Sequence, residues 1–359
     1  MNTELSSMTK QELSDFINTK KEELGNKVRV IGYPGQFDDL LQFADFFGDA
    51  EQIKEYGIES NAQFLMFTGW RFFTDIPVIF QSGKKVIQSN IKNDCPIADH
   101  SSPHLIKEAF KMIQENNSTE VVPLGFVAAS SELRSFCGEH NGSVCMPWNA
   151  YKVIKHYLDQ NKSIFFIPAN DAFNIITALN LPDDQIYVVD STTDFKNIPG
   201  GKKIYAWNVE CFVHKKYTVD DIKNLREKYQ DQGIKIIAHK ECAEELKDLC
   251  DDTGFVGEIY EKIKKAPSGS CLGVVTVDTW VSRAAYEFSD KTIVSPRTDL
   301  VCGDLRITNL TDVAKSFQSI VDYENGDGAL ISEHIIPDDL IDGARKAYET
   351  MFTIDQRAS

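Results

Sequence analysis

The sequence predicts an α/β protein of three small βαβ domains. Each is a Rossmann-like parallel sheet, and the three are related by a pseudo-threefold axis around a central site. Three observations predict this. Apolar runs of four to six residues alternate with helical patterns from Val28 onward, the pattern of parallel sheets covered by helices. The units are too many for one compact open sheet, and their unequal lengths fit a single eight-fold barrel poorly. Finally, Cys95, Cys211 and Cys302 each sit in a polar loop after a strand, 116 and 91 residues apart (211 − 95 and 302 − 211). Polar inserts at Glu139–Gly142 and Ser191–Lys202 account for much of the longer interval. One cysteine per repeat, converging on the axis, brings three thiolates to one centre.

The bulk properties narrow the function class. A chain of 359 residues with 42% hydrophobic content supports two or three globular domains. A net charge of −16 and a pI of about 4.9 repel phosphate backbones and anionic lipid, which argues against nucleic acid and membrane as partners. No apolar run approaches the ~20 residues of a membrane span. Met1 to Gly25 is polar and charged, without a signal-peptide core. Eight cysteines spread over a large acidic chain do not resemble the framework of a small secreted domain. The expectation is a cytoplasmic protein with reduced thiols, most of them packed in cores.

The elements follow in order. Thr9 and Glu12 fit a capping box, and Gly25 stops the first helix. Val28 to Gly32 reads as strand, and Leu40, Leu41, Phe43, Ala44 and Phe47 lie at helical spacing. Phe64 to Thr68 is strand, leading through Gly69 into a helix. Lys85 to Gln88 is strand, with Cys95-Pro96 in the loop beyond it. His104 to Gln114 is an amphipathic helix. Glu120 to Leu124 and Ser143 to Met146 are strands, and a helix runs from Asn149 to Leu158. Ile164 to Ile167 is strand, followed by a turn at Pro168–Asp171 and a helix from Ala172 to Leu179. Gln185 to Val189 and Lys203 to Trp207 are strands. After the segment described next, Ala243 to Cys250 and Glu258 to Lys265 are helices, with a turn at Asp252-Thr253-Gly254 between them. Gly273 to Val277 and Lys291 to Val294 are strands with a helix from about Val281 between them, and Asp312 to Val321 and Pro337 to Met351 are helices. The expected domains are an N-terminal helix over 1–27 and α/β domains over 28–106, 107–202 and 203–300. A C-terminal segment over 301–359 carries the third cysteine and helices that return to the first domain.

The stretch from Glu210 to Cys242 concentrates the reactive side chains. It opens with Cys211-Phe212-Val213-His214, passes through a helix capped by Thr218, and ends, after the strand Ile234–Ala238, with His239-Lys240-Glu241-Cys242. The carboxyl ends of strands are where open α/β sheets place their chemistry. Three readings fit the residues. One is a structural zinc site, C-x2-H…H-x2-C, from Cys211, His214, His239 and Cys242. Another is one ligand of an iron–sulfur cluster with acid–base groups beside it. The bland one is a strand end with incidental polar residues.

The order of the motifs resembles the quinolinate synthase family. Its G-x-C-x-V-H element resembles Val209–His214, its H-P-E-C element His239–Cys242, and its S-T-G turn Asp252–Gly254. Its A-D-x-x-G-D-S element is similar to Ala44–Ala50, and its F-C-G-V-x-F-M-A-E element to Phe67–Asp75. The resemblance runs from roughly Val28 to Met351. It implies three homologous α/β domains holding a [4Fe–4S] cluster through one cysteine each, here Cys95, Cys211 and Cys302, with one iron left open. It also speaks against the zinc set, because the counterpart of Cys242 does not bind the cluster. An open iron polarises a substrate hydroxyl or carboxylate while a nearby base removes a proton. The resemblance implies Glu241 as that acid–base group, and His214 and His239 holding substrate oxygens or shuttling protons. Thr253 would offer its hydroxyl and nearby amides to an anionic group.

Departures from the family cluster on substrate-facing positions. Where the family has H-x-Y after the first strand, this chain has Tyr33 and Gly35, so the family's catalytic tyrosine is missing, and Tyr33, two residues away, is expected to substitute for it in part. The serine of G-D-S, beside Asp49, is Ala50. Y-V-N becomes Phe126-Val127-Ala128, and T-S-x-N-A becomes Met146-Pro147-Trp148-Asn149-Ala150. Asp49, Phe126, Trp148 and Asn149 are the expected substrate-binding positions beside Thr253, and Ala50, Phe126, Ala128 and Trp148 make the pocket drier, leaving carboxylates and phosphate without partners. The expected function is a cluster-dependent dehydration or condensation–cyclisation towards a nitrogen heterocycle. Its small-molecule substrate is less anionic than iminoaspartate plus dihydroxyacetone phosphate, and a partner enzyme supplies an unstable intermediate. The alternatives are a true quinolinate synthase and a non-catalytic iron–sulfur sensor.

Overall fold

The computed structural model describes residues 5–33, 36, 38–99, 101–168, 179, 181–209, 211–304 and 307–356. The described strands form three separate parallel sheets and no barrel, and the chain divides into two compact units. One unit comprises Met1–Pro96 and Cys302–Arg345, the other Ile97–Val301 and Lys346–Ser359.

The first unit contains β1 (Val28–Ile31), β2 (Phe64–Phe67) and β3 (Lys85–Gln88), in the order β1-β2-β3. All four residues of β2 are buried, as expected of a central strand covered on both faces. Its core joins Val28, Val30, Phe64 and Met66 to Leu13 and Ile17 of the helix Lys10–Leu24, and to Val313, Phe317 and Ile320 of the helix Leu310–Asn325. Thr9 and Glu12 form the predicted capping box, and Gly25 ends the helix at φ 52°. The helix expected around Leu40 to Phe47 shrinks to Asp38–Leu41. Beyond it the chain is drawn onto β1, where the Asp45 and Phe46 amides donate to Val30 O and the Asp45 carboxylate accepts from Val30 N. A helix not anticipated from sequence then spans Ala50–Glu59, with Asp49 as its cap.

The second unit holds two sheets. One contains β4 (Val121–Phe126), β5 (Ser143–Cys145), β6 (Ser163–Ile167), β7 (Ile186–Val189) and β8 (Ile204–Trp207), in the order β5-β4-β6-β8-β7. The other contains β9 (Lys235–His239), β10 (Asp252–Gly254), β11 (Cys271–Val275) and β12 (Thr292–Val294), in the order β10-β9-β11-β12. The expected turn at Asp252–Gly254 is therefore a strand, pairing Thr253 with Ala238 and Gly254 with His239. The supposed insert at Glu139 begins on a helix, Ser131–Glu139, capped by Ser130 and burying Leu133, Phe136 and Cys137. The turn and helix expected over 169–178 lie outside the described residues.

The chain order within the sheets bears on the cysteines. Cys95 follows β3, Cys211 follows β8 and Cys302 follows β12, and each of these is the last described strand of its sheet along the chain. The repeat inferred from cysteine spacing thus has a topological counterpart.

Candidate active site

The best-defined constellation lies at the carboxyl edge of the β9–β12 sheet. β9 ends at His239, and Glu241 stands two residues on. β11 ends at Val275, so Thr276 is the first residue beyond it. After β8, Cys211 opens the short helix Phe212–Lys215, which carries His214. The Cys211 thiol, a His214 ring nitrogen and a Glu241 carboxylate oxygen lie within 4.8 Å of one another. With Thr276, these groups come from two strand ends and one post-strand loop, so a short apolar strand positions each of them.

Hydrogen bonds fix the state of both imidazoles. His214 Nδ1 lies 2.5 Å from Glu241 Oε2, so Nδ1 carries a proton and donates it. Its Nε2 lies 3.1 Å from the Thr276 hydroxyl, and the Thr276 carbonyl accepts from Tyr217 Oη at 2.6 Å. His239 stacks on His214 with ring centroids 4.1 Å apart and planes 5° from parallel. The Glu241 amide donates to His239 Nδ1 at 3.2 Å, which makes Nδ1 an acceptor and places the neutral ring's proton on Nε2. Burial, then the neighbouring His214 and the lysines 240 and 247, hold His239 well below the ordinary histidine range. The site therefore pairs an imidazole bound to a carboxylate with a second one kept neutral.

This has a measurable consequence for acid stability. The unfolded chain binds a proton at His239 near pH ~6.5, whereas the fold resists it until much lower pH. His239 thus contributes stability fully above ~6.5, and the contribution drains away as pH falls below that value, by up to ~1.4 kcal/mol per pH unit. His239→Gln is expected to flatten the pH dependence of Tm between pH 6.5 and 5. An unchanged slope would contradict the assignment.

The other predicted residues are placed variously. Thr253 is partly exposed on β10, and its carbonyl accepts from Lys262 Nζ. The Asp49 carboxylate accepts from Glu51 N and Gln52 N at the start of its helix. Phe126 ends β4 and stacks on Phe166 at 5.5 Å. Trp148 is 51% exposed. Asn149 is buried, with Oδ1 accepting from Met146 N and Nδ2 donating to Asp355. Tyr33 lies against Trp70 and Phe73, and a Cβ on Gly69 would come within 2.6 Å of Tyr33 Cβ, so only glycine lets that loop pass. Cys95 and Cys302 are buried in the first unit, and Cys211 is half-buried in the second. Cys242 turns away into the sheet core, with Sγ 3.8 Å from Val275 O and its thiol pushed up to about 12, mainly by burial. Among the described residues the four-ligand zinc arrangement is not assembled, since the group that gathers contains Glu241 rather than Cys242. Sequence reading missed Thr276, which falls inside the strand expected over Gly273–Val277; the strand ends at Val275, which frees the threonine to meet His214.

The family model described as Quinolinate synthetase A protein matches residues 15–353. The chain belongs to the quinolinate synthase family. It is 28% identical over 348 residues to quinolinate synthase of Anoxybacillus flavithermus, covering 95% of this chain and 93% of that protein. It is 30% identical over 298 residues to quinolinate synthase of Halalkalibacterium halodurans, covering 80% of each. To quinolinate synthase of Bacillus subtilis it is 28% identical over 330 residues, covering 89% and 88%. The quinolinate synthase family consists of iron–sulfur enzymes, so the chain is an enzyme of that type. No described helix is long and apolar enough to cross a membrane.

Proposed function

We propose that the chain is a quinolinate synthase-type enzyme that dehydrates and cyclises a small molecule towards a nitrogen heterocycle, on a substrate less anionic than iminoaspartate plus dihydroxyacetone phosphate. The observation that carries the reading is the Glu241–His214–Thr276 line beside the Cys211 thiol, with neutral His239 stacked against it. Cys95, Cys211 and Cys302 would hold a [4Fe–4S] cluster. The chemistry of the donors fits: three thiols, each in a loop following the last described strand of its sheet. The bound cluster supplies an open iron that acts as a Lewis acid on a substrate oxygen.

The protein's own groups divide the remaining work. Glu241 takes a proton from the substrate and returns it to the departing hydroxyl, so that water leaves. His214 Nδ1–H keeps the carboxylate oriented, and Thr276 holds the far side of that ring. His239 Nε2–H donates to a substrate oxygen without adding positive charge. Ala50, Phe126, Ala128, Met146 and Pro147, where the family pattern has polar groups, support a substrate with fewer charges. The Asn149 amide already serves Met146 and Asp355.

The test is an anaerobic assay with iminoaspartate generated in place and dihydroxyacetone phosphate. The expected result is no quinolinate above background, and no change in the visible spectrum on adding malate or phthalate. Quinolinate formation, or a spectral shift with those dicarboxylates, would make the chain a true quinolinate synthase.

A further inference from the structure

The carboxyl edge of the first sheet contains a second polar cluster, built from the loops that leave its three strands. Gln36 follows β1, Thr68 and Trp70 follow β2, and Ser89 and Asn93 follow β3. Gln36, Thr68, Ser89 and Asn93 are each at most 5% exposed. Seven buried side-chain polar atoms lack a hydrogen-bond partner among the described residues. Five of them are here: Gln36 Oε1, Thr68 Oγ1, Trp70 Nε1, Ser89 Oγ and Asn93 Oδ1. Buried polar atoms are normally paired, so such a concentration in one sheet's strand-end loops calls for a cause.

The orientation of the amides is set by their partners. Gln36 Nε2 and Asn93 Nδ2 both donate to the Thr68 carbonyl, and Asn93 Nδ2 also meets Thr308 Oγ1 at 2.6 Å. A carbonyl only accepts, so both amide nitrogens face it and both amide oxygens are left over. Gln88 and Thr74 brace the cluster from behind, Gln88 Nε2 donating to Gly69 O and Thr74 Oγ1 to Gln88 Oε1. The leftover set is two acceptor-only oxygens, two hydroxyls and one indole N–H.

We propose that this strand-end cluster is a binding subsite for a neutral nitrogen-bearing group of the substrate, such as a carboxamide. Its N–H donors would satisfy the Gln36 and Asn93 oxygens, and its own oxygen would accept from the Thr68 and Ser89 hydroxyls. A carboxylate offers only acceptors and would set lone pairs against Gln36 Oε1 and Asn93 Oδ1. The inference rests on the less anionic substrate proposed above and adds where its neutral group is recognised.

The experiment measures binding of succinamide and succinate to the anaerobic holoenzyme by calorimetry, for wild type, Thr68→Val and Ser89→Ala, with Tm for each. Wild type is expected to bind succinamide at least tenfold tighter than succinate. Both variants are expected to weaken succinamide at least tenfold while their Tm stays level or rises, because they remove a buried polar atom that the fold itself leaves unpaired. Unchanged succinamide binding in the variants would overturn the subsite and leave the less anionic reading standing. A preference for succinate would sink both. A fall in Tm in both variants would show that the hydroxyls serve the fold, and binding of neither molecule would equally overturn the proposal.

Discussion

Glu241→Gln is expected to lower turnover by about 10²- to 10⁴-fold, the usual contribution of a positioned general base, while iron and sulfide content stay at the wild-type level. Glutamine fills the same space and still accepts from His214 Nδ1 through its amide oxygen, so the His214–His239 stack and the Thr276 contact are retained. What it cannot do is take up the substrate proton. The loss should therefore fall on kcat rather than on KM. Thr276→Val gives a graded companion, removing the hydroxyl at His214 Nε2 but leaving the carboxylate. Thr276→Ser should restore what valine loses, which a packing role for the methyl group would not allow. If Glu241→Gln kept full biological output with an intact cluster, the protein would be a sensor rather than an enzyme.

The parallel sheets were legible because alternating apolar strands and amphipathic helices are local patterns. The repeat was legible because each cysteine follows the last described strand of its sheet. Elements governed by long-range pairing were not. Asp252–Gly254 reads as a turn because Asp and Gly punctuate loops, yet β9 beside it supplies the ladder that makes it a strand. The segment from Phe43 to Phe46 has helical spacing, but β1 captures its backbone. At the site, Glu241 and the histidines stood out by residue type. Thr276 did not, since it reads as one more β-branched residue of the strand expected over Gly273–Val277 and its meaning comes from His214, 62 residues away along the chain. Asp49 and Asn149 matched family motifs, but their side chains are engaged at the starts of the helices Ala50–Glu59 and Ala150–Asp159, which only the hydrogen bonds reveal.

Serine substitution at Cys95, Cys211 or Cys302 is expected to abolish the cluster altogether. Each variant, purified without oxygen, should lose the four irons, the four sulfides and the broad absorption near ~400 nm that a [4Fe–4S] centre gives, and activity with them. Cys242→Ala is the decisive control. The Cys242 Sγ is directed at the Val275 carbonyl, 3.8 Å away in the sheet core, and not at the Cys211–His214–Glu241 group. Its loss should cost about 1–2 kcal/mol of packing and leave iron and sulfide at wild-type levels. The two outcomes separate the competing chemistries of the Glu210–Cys242 stretch. A four-ligand zinc site needs Cys242 as much as Cys211, so it would show one zinc, no sulfide, and loss of metal in both variants while Cys95→Ser and Cys302→Ser stayed loaded. A cluster drawing one thiolate from each sheet shows the reverse dependence, because Cys211 then shares its metal with cysteines that lie far from it in sequence and not with the one at the end of the neighbouring strand.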